Sequence, residues 1–214
     1  MQYAGIILCG GSSTRMGLPK AALPFGPELM LQRVARLLDQ AVGPIVVVAA
    51  REQELPPLPP EILIVHDRRQ GRGPLQGMAA GMSALRGKAD AAYVTGCDVP
   101  LLRPSFVRRV CRLLGDARIA VPCTEGYHHP LAAVYRLEVL PHVEALLADD
   151  RLRSFYLFER VPTREISAEE LTDVDPRLES LLNLNRPQDY FDALARAGFT
   201  APADVAAALA QPLA

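Results

Sequence analysis

Two stretches of the chain carry the residue types that phosphate chemistry needs. Residues 8–20 read Leu-Cys-Gly-Gly-Ser-Ser-Thr-Arg-Met-Gly-Leu-Pro-Lys. Gly10 and Gly11 put no Cβ between backbone N–H groups and an anion, Ser12, Ser13 and Thr14 add hydroxyls, and Arg15 and Lys20 add positive charge. This is the chemistry of a phosphate cradle, although the spacing is neither that of a P-loop nor that of the Gly-x-Gly-x-x-Gly dinucleotide fingerprint. The second stretch is Gly96-Cys97-Asp98-Val99-Pro100, which follows an apolar run and fixes one carboxylate at its end. A lone carboxylate opposite a phosphate cradle suits Mg²⁺, which keeps several waters and takes other ligands from substrate phosphates. A helix cap or a ribose hydrogen bond is the alternative use for Asp98.

The elements that must position these residues follow from the apolar pattern. Short continuous apolar runs at Tyr3–Cys9, Ile45–Ala50, Ile62–Val65 and Ala91–Thr95 predict strands, and the uniformly apolar Ile45–Ala50 one covered on both faces. Helical spacing over Glu28–Ala41, Pro74–Leu85 and Arg103–Leu114 predicts the helices between them. Leu55–Pro60 reads as a stiff connection. Strand alternating with helix implies right-handed crossovers and an α/β fold, a three-layer Rossmann-like αβα sandwich around a mostly parallel sheet. Further strands are expected at Arg118–Cys123 and Leu131–Tyr135, two helices within Leu137–Glu159, and a last strand and helix around Leu181–Ala197. The expected organisation is one domain over residues 1–198 and a C-terminal tail over 199–214, the latter a frayed helix. Ligands of such sheets bind beyond the carboxyl ends of the strands. The loops after the predicted strands, including His66-Asp67 and Gly96-Cys97-Asp98, are therefore expected at one edge.

Composition narrows the class of protein. The 214 residues carry a formal net charge of −1, with no long basic block, so a nucleic-acid binder is not expected. No apolar run is long enough to span a bilayer, and no secretion signal is expected. The four cysteines show neither zinc-ligand spacing nor a C-x-x-C pair, which fits a reducing cytoplasm. Cys9 and Cys97 are expected to lie close together as small buried thiols without a redox role.

Residues 8–20 resemble the L-A-G-G-x-x-x-R-M-G-x-D-K opening of the MobA-type nucleotidyltransferases. Gly73-Pro-Leu-Gln-Gly77 is similar to that family's G-P-L-x-G segment, Cys97-Asp-Val-Pro100 to its C-D-x-P, Tyr127-His-His-Pro130 to its H-P element, and Asn183-Leu-Asn-Arg-Pro187 to its N-x-N-x-P motif. The order is the family's, across residues 6–189. The resemblance implies a nucleotidyltransferase fold and transfer of GMP from GTP to the phosphate of molybdopterin or molybdenum-molybdopterin, with Mg²⁺ as cofactor and pyrophosphate as product. It also implies that Leu8, Cys9, Gly10, Gly11 and Gly77 line the nucleotide, that Lys20 and Asp67 contact GTP, and that Asp98 binds both GTP and Mg²⁺. Arg15 is assigned to the leaving phosphates and Lys20 to charge at the α-phosphate. His129, Asn183 and Asn185 are candidates for the acceptor.

Three positions depart from the family's pattern: Cys9 for Ala, Pro19 for the Asp before the Lys, and Ala49 where the archetype has Asn. Relatives that use CTP read L-A-A-G, so Gly10 and the Gly73–Gly77 segment favour GTP. Other members of the superfamily act on CTP, sugar phosphates or cobamide precursors. A pterin-delivery protein that keeps the fold without catalysis is the reading from a different class, and retention of Lys20 and Asp98 argues against it. Transient contact with molybdoenzyme maturation proteins is the one partner expectation beyond the substrates.

Overall fold

The structure is a computed structural model that describes residues 1–10, 16–67 and 71–210. Residues 11–15, with Gly11 and Arg15 among them, and residues 68–70 and 211–214 lie outside it, so the roles expected of Gly11 and Arg15 lie outside the described residues. In chain order the elements are β1 (Tyr3–Leu8), the short strands β2 (Pro24–Phe25) and β3 (Glu28–Leu29), α1 (Met30–Asp39), β4 (Ile45–Ala49), β5 (Leu63–His66), α2 (Gly73–Ala84), β6 (Ala91–Gly96) and α3 (Pro104–Arg112). They continue with β7 (Ile119–Thr124), β8 (Tyr127–His128), β9 (Ala132–Arg136), α4 (Leu140–Ala148), α5 (Phe155–Phe158), β10 (Thr163–Ile166), α6 (Pro187–Arg196) and α7 (Ala203–Leu209).

The central sheet runs β10-β7-β9-β6-β1-β4-β5, with β8 paired to β7. β1 pairs in parallel with both β4 and β6, and β4 with β5, while β9 runs antiparallel between β6 and β7. The sheet is therefore mostly parallel, as expected, with β9 reversed within it and the short β8 antiparallel to β7. The strands β4 and β6 are buried throughout, and β1 from Ala4 onward, because helices cover both faces. One face packs Ile7, Val47 and Tyr93 against Val34 and Leu38 of α1 and Phe106 and Val110 of α3. The other packs Ile6, Val46 and Val94 against Met78 and Met82 of α2 and Val143 of α4.

Two local expectations are corrected, and two features were not expected. Residues 28 and 29 do not begin a helix: Glu28 and Leu29 pair with Phe25 and Pro24 in a small hairpin, turned by Gly26 at φ +67°, and α1 starts at Met30. β10 lacks an apolar run of its own because it is an edge strand, with Arg164 and Glu165 exposed and Ile166 buried. Residues 179–181 form a 3₁₀ turn in place of the expected strand. Its cause is the fully buried Asp175 carboxylate, which accepts the Glu179 N–H at 3.1 Å and the Ser180 N–H at 2.8 Å. In β5, Leu63 and Ile64 are exposed, since it is the strand at the sheet's far edge.

A third apolar cluster joins the two ends of the described chain. Met16, Leu23 and Phe25 pack with Tyr190 and Leu194 of α6 and Leu209 of α7. Phe199 meets Phe25 edge-on at 5.9 Å, and a Cβ on Gly26 would strike the Phe199 ring at 2.6 Å. That contact and the positive φ together require glycine at position 26.

Candidate active site

Strand register sets the floor of the site. Leu8 lies level with Val48 of β4 and Gly96 of β6, and Val48 with Val65 of β5. The ladder extends one step past the carboxyl ends: the Cys9 N–H donates to Val48 O at 2.8 Å, Cys97 N–H to Leu8 O at 3.1 Å and Asp67 N–H to Ala49 O at 2.9 Å. Cys9 and Cys97 are thus held side by side, with Asp67 beyond the intervening β4, at the edge where an open α/β sheet binds its ligands. Asp98 follows directly.

Lys20 reaches this edge from a 3₁₀ turn, Lys20–Ala22, that Pro19 leads into and that the buried Ala21 anchors. Its Nζ donates to Asp98 Oδ2 at 2.8 Å and to Asn185 Oδ1 at 3.1 Å. The two charged side chains retain 17% and 18% of their exposure, so the pair faces an opening and can exchange partners with an entering ligand. Asn185 is placed by its own backbone: its N–H and that of Arg186 both donate to Asp189 Oδ2, at 2.9 and 2.8 Å, at the start of α6. Leu184, buried between the exposed Asn183 and Asn185, donates its N–H to Asp98 O at 3.0 Å. Three segments distant in sequence therefore meet at Lys20, Asp98 and Asn185.

Gly96 has a role at the site that its place in the Gly96–Pro100 stretch did not reveal. A Cβ there would lie 2.5 Å from Asp98 Oδ1, so the carboxylate occupies the space that the missing side chain leaves. One oxygen is seated over Gly96 and the other is given to Lys20. Its signal in the sequence is a glycine ending an otherwise apolar strand directly before the Cys-Asp pair. Arg33 is a second residue missed. Its Nε donates to Pro100 O at 2.7 Å, and its guanidinium lies 4.9 Å from the centre of the Phe25 ring, fixing the segment after Asp98 to the hairpin.

The remaining expected residues fall as follows. Leu8 and Cys9 are buried, and Gly10 is exposed with open space where a Cβ would stand. Gly77 is buried in α2, where a Cβ would lie 3.1 Å from Leu8 and 3.7 Å from Val48, so glycine there lets the helix approach the sheet. The Cys9 thiol is hydrogen-bonded to Cys97, and this bond and burial push its pKa well above the ordinary thiol value. Both cysteines are free thiols. They lie together, as expected. His129 is tied to its own loop, its Nε2 2.7 Å from Thr124 Oγ1 and its N–H donating to Pro122 O at 2.9 Å. Burial, and then the neighbouring His128, lower its pKa from 6.5. His128, rather than His129, lines a cavity of about 520 Å³ together with Pro74, Tyr127, Ser154, Phe155 and Phe158.

Asp98 belongs to no group of three or more metal-ligating side chains among the described residues. Its surroundings nonetheless fit a single-carboxylate Mg²⁺ site: a cradled oxygen, a partly open setting and a phosphate-type cation beside it. Gly10, directly after Cys9, lies exposed at the same edge. An open α/β sheet with this charge arrangement at its carboxyl edge defines a class of enzymes that handle nucleotide phosphates.

Comparison with known proteins gives the family. Residues 5–163 match the MobA-like NTP transferase domain, and the chain belongs to that family. It is 34% identical over 202 residues to a probable molybdenum cofactor guanylyltransferase of Mycobacterium avium, a match covering 92% of this chain and 97% of the relative. A protein of the same name from Carboxydothermus hydrogenoformans is 32% identical over 190 residues, 86% of this chain and 91% of the relative. The fold matches the crystal structure of molybdopterin-guanine dinucleotide biosynthesis protein A from Archaeoglobus fulgidus with a TM-score of 0.75 at 20% identity, covering 92% and 99% of the two chains. The nucleotidyltransferase reading of the sequence holds.

Proposed function

We propose that the protein transfers GMP from GTP to the terminal phosphate of molybdopterin or its molybdenum form, releasing pyrophosphate. The observation that carries the proposal is the meeting of Lys20, Asp98 and Asn185 at the carboxyl edge of the sheet. It gains weight from relatives that bear the guanylyltransferase name over nearly their whole length. The acceptor phosphate is already an anionic nucleophile, so no covalent enzyme intermediate is required. What the chain must do is hold two anions together and offset charge as pyrophosphate leaves. Lys20 is the cation for the α-phosphate and moves from Asp98 to the substrate when the nucleotide enters. Asp98 would hold Mg²⁺, which would neutralise phosphate charge. In this reading Arg15, Gly10 and Gly11 would cradle the leaving phosphates, Leu8, Cys9 and Asp67 would line the nucleotide, and Asn183 and Asn185 would orient the acceptor.

No helix among the described residues is long and apolar enough to cross a membrane. Action in the cytoplasm and transient contact with molybdoenzyme maturation proteins belong to the same proposal. The test is turnover of α-labelled GTP with Mg²⁺, with and without molybdopterin. Labelled dinucleotide should form only with the acceptor. Absence of transfer, or equal turnover without acceptor, overturns the reading.

A further inference from the structure

A second set of ligand-type side chains lies on the opposite half of the sheet. It arises from backbone register alone. β7 and β8 are joined by the two-residue turn Glu125-Gly126, with φ +51° and +78°, which places Cys123 directly opposite His128. Cross-strand partners project from the same face. In β10, Glu165 pairs with Val121, two residues before Cys123 and therefore on that face as well. Three strands thus deliver a thiol, an imidazole and a carboxylate to one point. Their ligand atoms all lie within 4.8 Å of one another, with His128 Nε2 and Glu165 Oε1 at 2.7 Å. Cys123 and His128 are half-buried and Glu165 is exposed. The His128 ring is held against Phe158 at 5.2 Å and Phe155 at 6.4 Å.

We propose that Cys123 Sγ, His128 Nε2 and the Glu165 carboxylate form a binding site for a borderline-soft divalent transition-metal ion of the zinc class. A thiol with an imidazole selects such ions over Mg²⁺, which prefers oxygen alone. Ligand bonds of about 2.0–2.3 Å put neighbouring ligands of a tetrahedral zinc ion about 3.3–3.6 Å apart. The His128–Glu165 contact must widen by roughly 0.6 Å and the sulfur draw in, changes that the exposed Glu165 side chain absorbs by rotation. On binding, the Cys123 thiol loses its proton to solvent and the sulfur forms the metal bond. Water completes the tetrahedron. The ion would fasten the β7–β8 hairpin to the edge strand β10, beside the cavity that His128 lines.

The competing use of these residues is a plain His128–Glu165 ion pair, to which Cys123 is irrelevant. Titration of chelator-treated protein with Co²⁺ in excess Mg²⁺ separates the two. The site should take one equivalent and give a thiolate-to-cobalt charge-transfer band in the near ultraviolet together with tetrahedral d–d bands. Cys123→Ser should abolish the charge-transfer band, and His128→Gln and Glu165→Gln should each weaken binding at least tenfold. Glu165→Gln alters only an exposed side chain, so its reading does not depend on a core change, and circular dichroism checks the folding of the other two variants. No band in the wild type, or a band that persists in Cys123→Ser, overturns the assignment.

Discussion

The seating of Asp98 over Gly96 makes Gly96→Ala a test of orientation that leaves every charge of the site in place. The added Cβ would stand 2.5 Å from Asp98 Oδ1, against the 3.4 Å at which ordinary contact begins, so the oxygen must retreat by about 0.9 Å. The next atoms, Asp98 Cγ at 3.6 Å and Asp98 N at 3.8 Å, lie at ordinary distance, and β6 needs no special φ at this position. Strain is therefore confined to the carboxylate. Displacement of a reacting or charge-stabilising group by about 1 Å costs on the order of a hundredfold in rate, about 2.7 kcal/mol in barrier. Gly96→Ala should lose about that much in kcat for GMP transfer and should need more Mg²⁺ for half-maximal rate. Its melting temperature should stay near that of the wild type. Initial rates across a Mg²⁺ titration are the assay. A variant within about threefold of wild type, roughly 0.7 kcal/mol, at every Mg²⁺ concentration would refute the idea that the carboxylate's seat matters.

Lys20→Ala should lower turnover at least a hundredfold, while the protein without nucleotide changes by no more than about 1 kcal/mol, because the ion pair is partly solvated; steady-state rates and a thermal melt check both. GTP with Mg²⁺ at about a hundred times its dissociation constant should stabilise the fold by about 2.7 kcal/mol, and by more than CTP at equal concentration. Equal protection by CTP in a melting series would place the protein with the cytidylyl enzymes. The pKa of His129 is lowered by burial, so the unfolded chain binds a proton more readily and stability is lost as pH falls from 6.5 through the folded value. Urea midpoints between pH 7.5 and 5.5 should fall less in His129→Gln than in the wild type.

The parts of this architecture that were legible in the sequence are those with a strong local cause. Uniform apolar runs bounded by Gly and Pro marked β1, β4 and β6, and the loops beyond them carried Lys20 and Asp98 to one edge. The parts that were not legible depend on distant partners. β10 has one buried residue, Ile166, and becomes a strand because β7 offers it a ladder. The turn at 179–181 follows from a carboxylate at Asp175 that no hydrophobic period reveals. Glu28 and Leu29 fit a helix by spacing, yet the Gly26 turn pairs them back onto Pro24 and Phe25. In the site, residue types named Lys20, Asp98 and Asn185 but not their contact. Gly96 and Arg33 were silent because their roles are purely spatial.

The meeting of Lys20 with both Asp98 and Asn185 also fixes an order of events in biogenesis. These contacts close chain segments of 78 and 165 residues. Loop-closure entropy grows only with the logarithm of length, so the longer closure costs about 0.7 kcal/mol more than the shorter. The delay is kinetic rather than energetic: long-range pairings form late in folding. A nascent chain released as far as α3 already contains β1, β4, β5, β6 and both members of the Lys20–Asp98 pair, but it has no Asn185 to accept a second hydrogen bond from the ammonium and no α6 to cover Phe25. The parallel half of the sheet can therefore assemble during synthesis while the Lys20 ammonium lacks its Asn185 partner. Translation of the last third of the protein gates completion of this contact network.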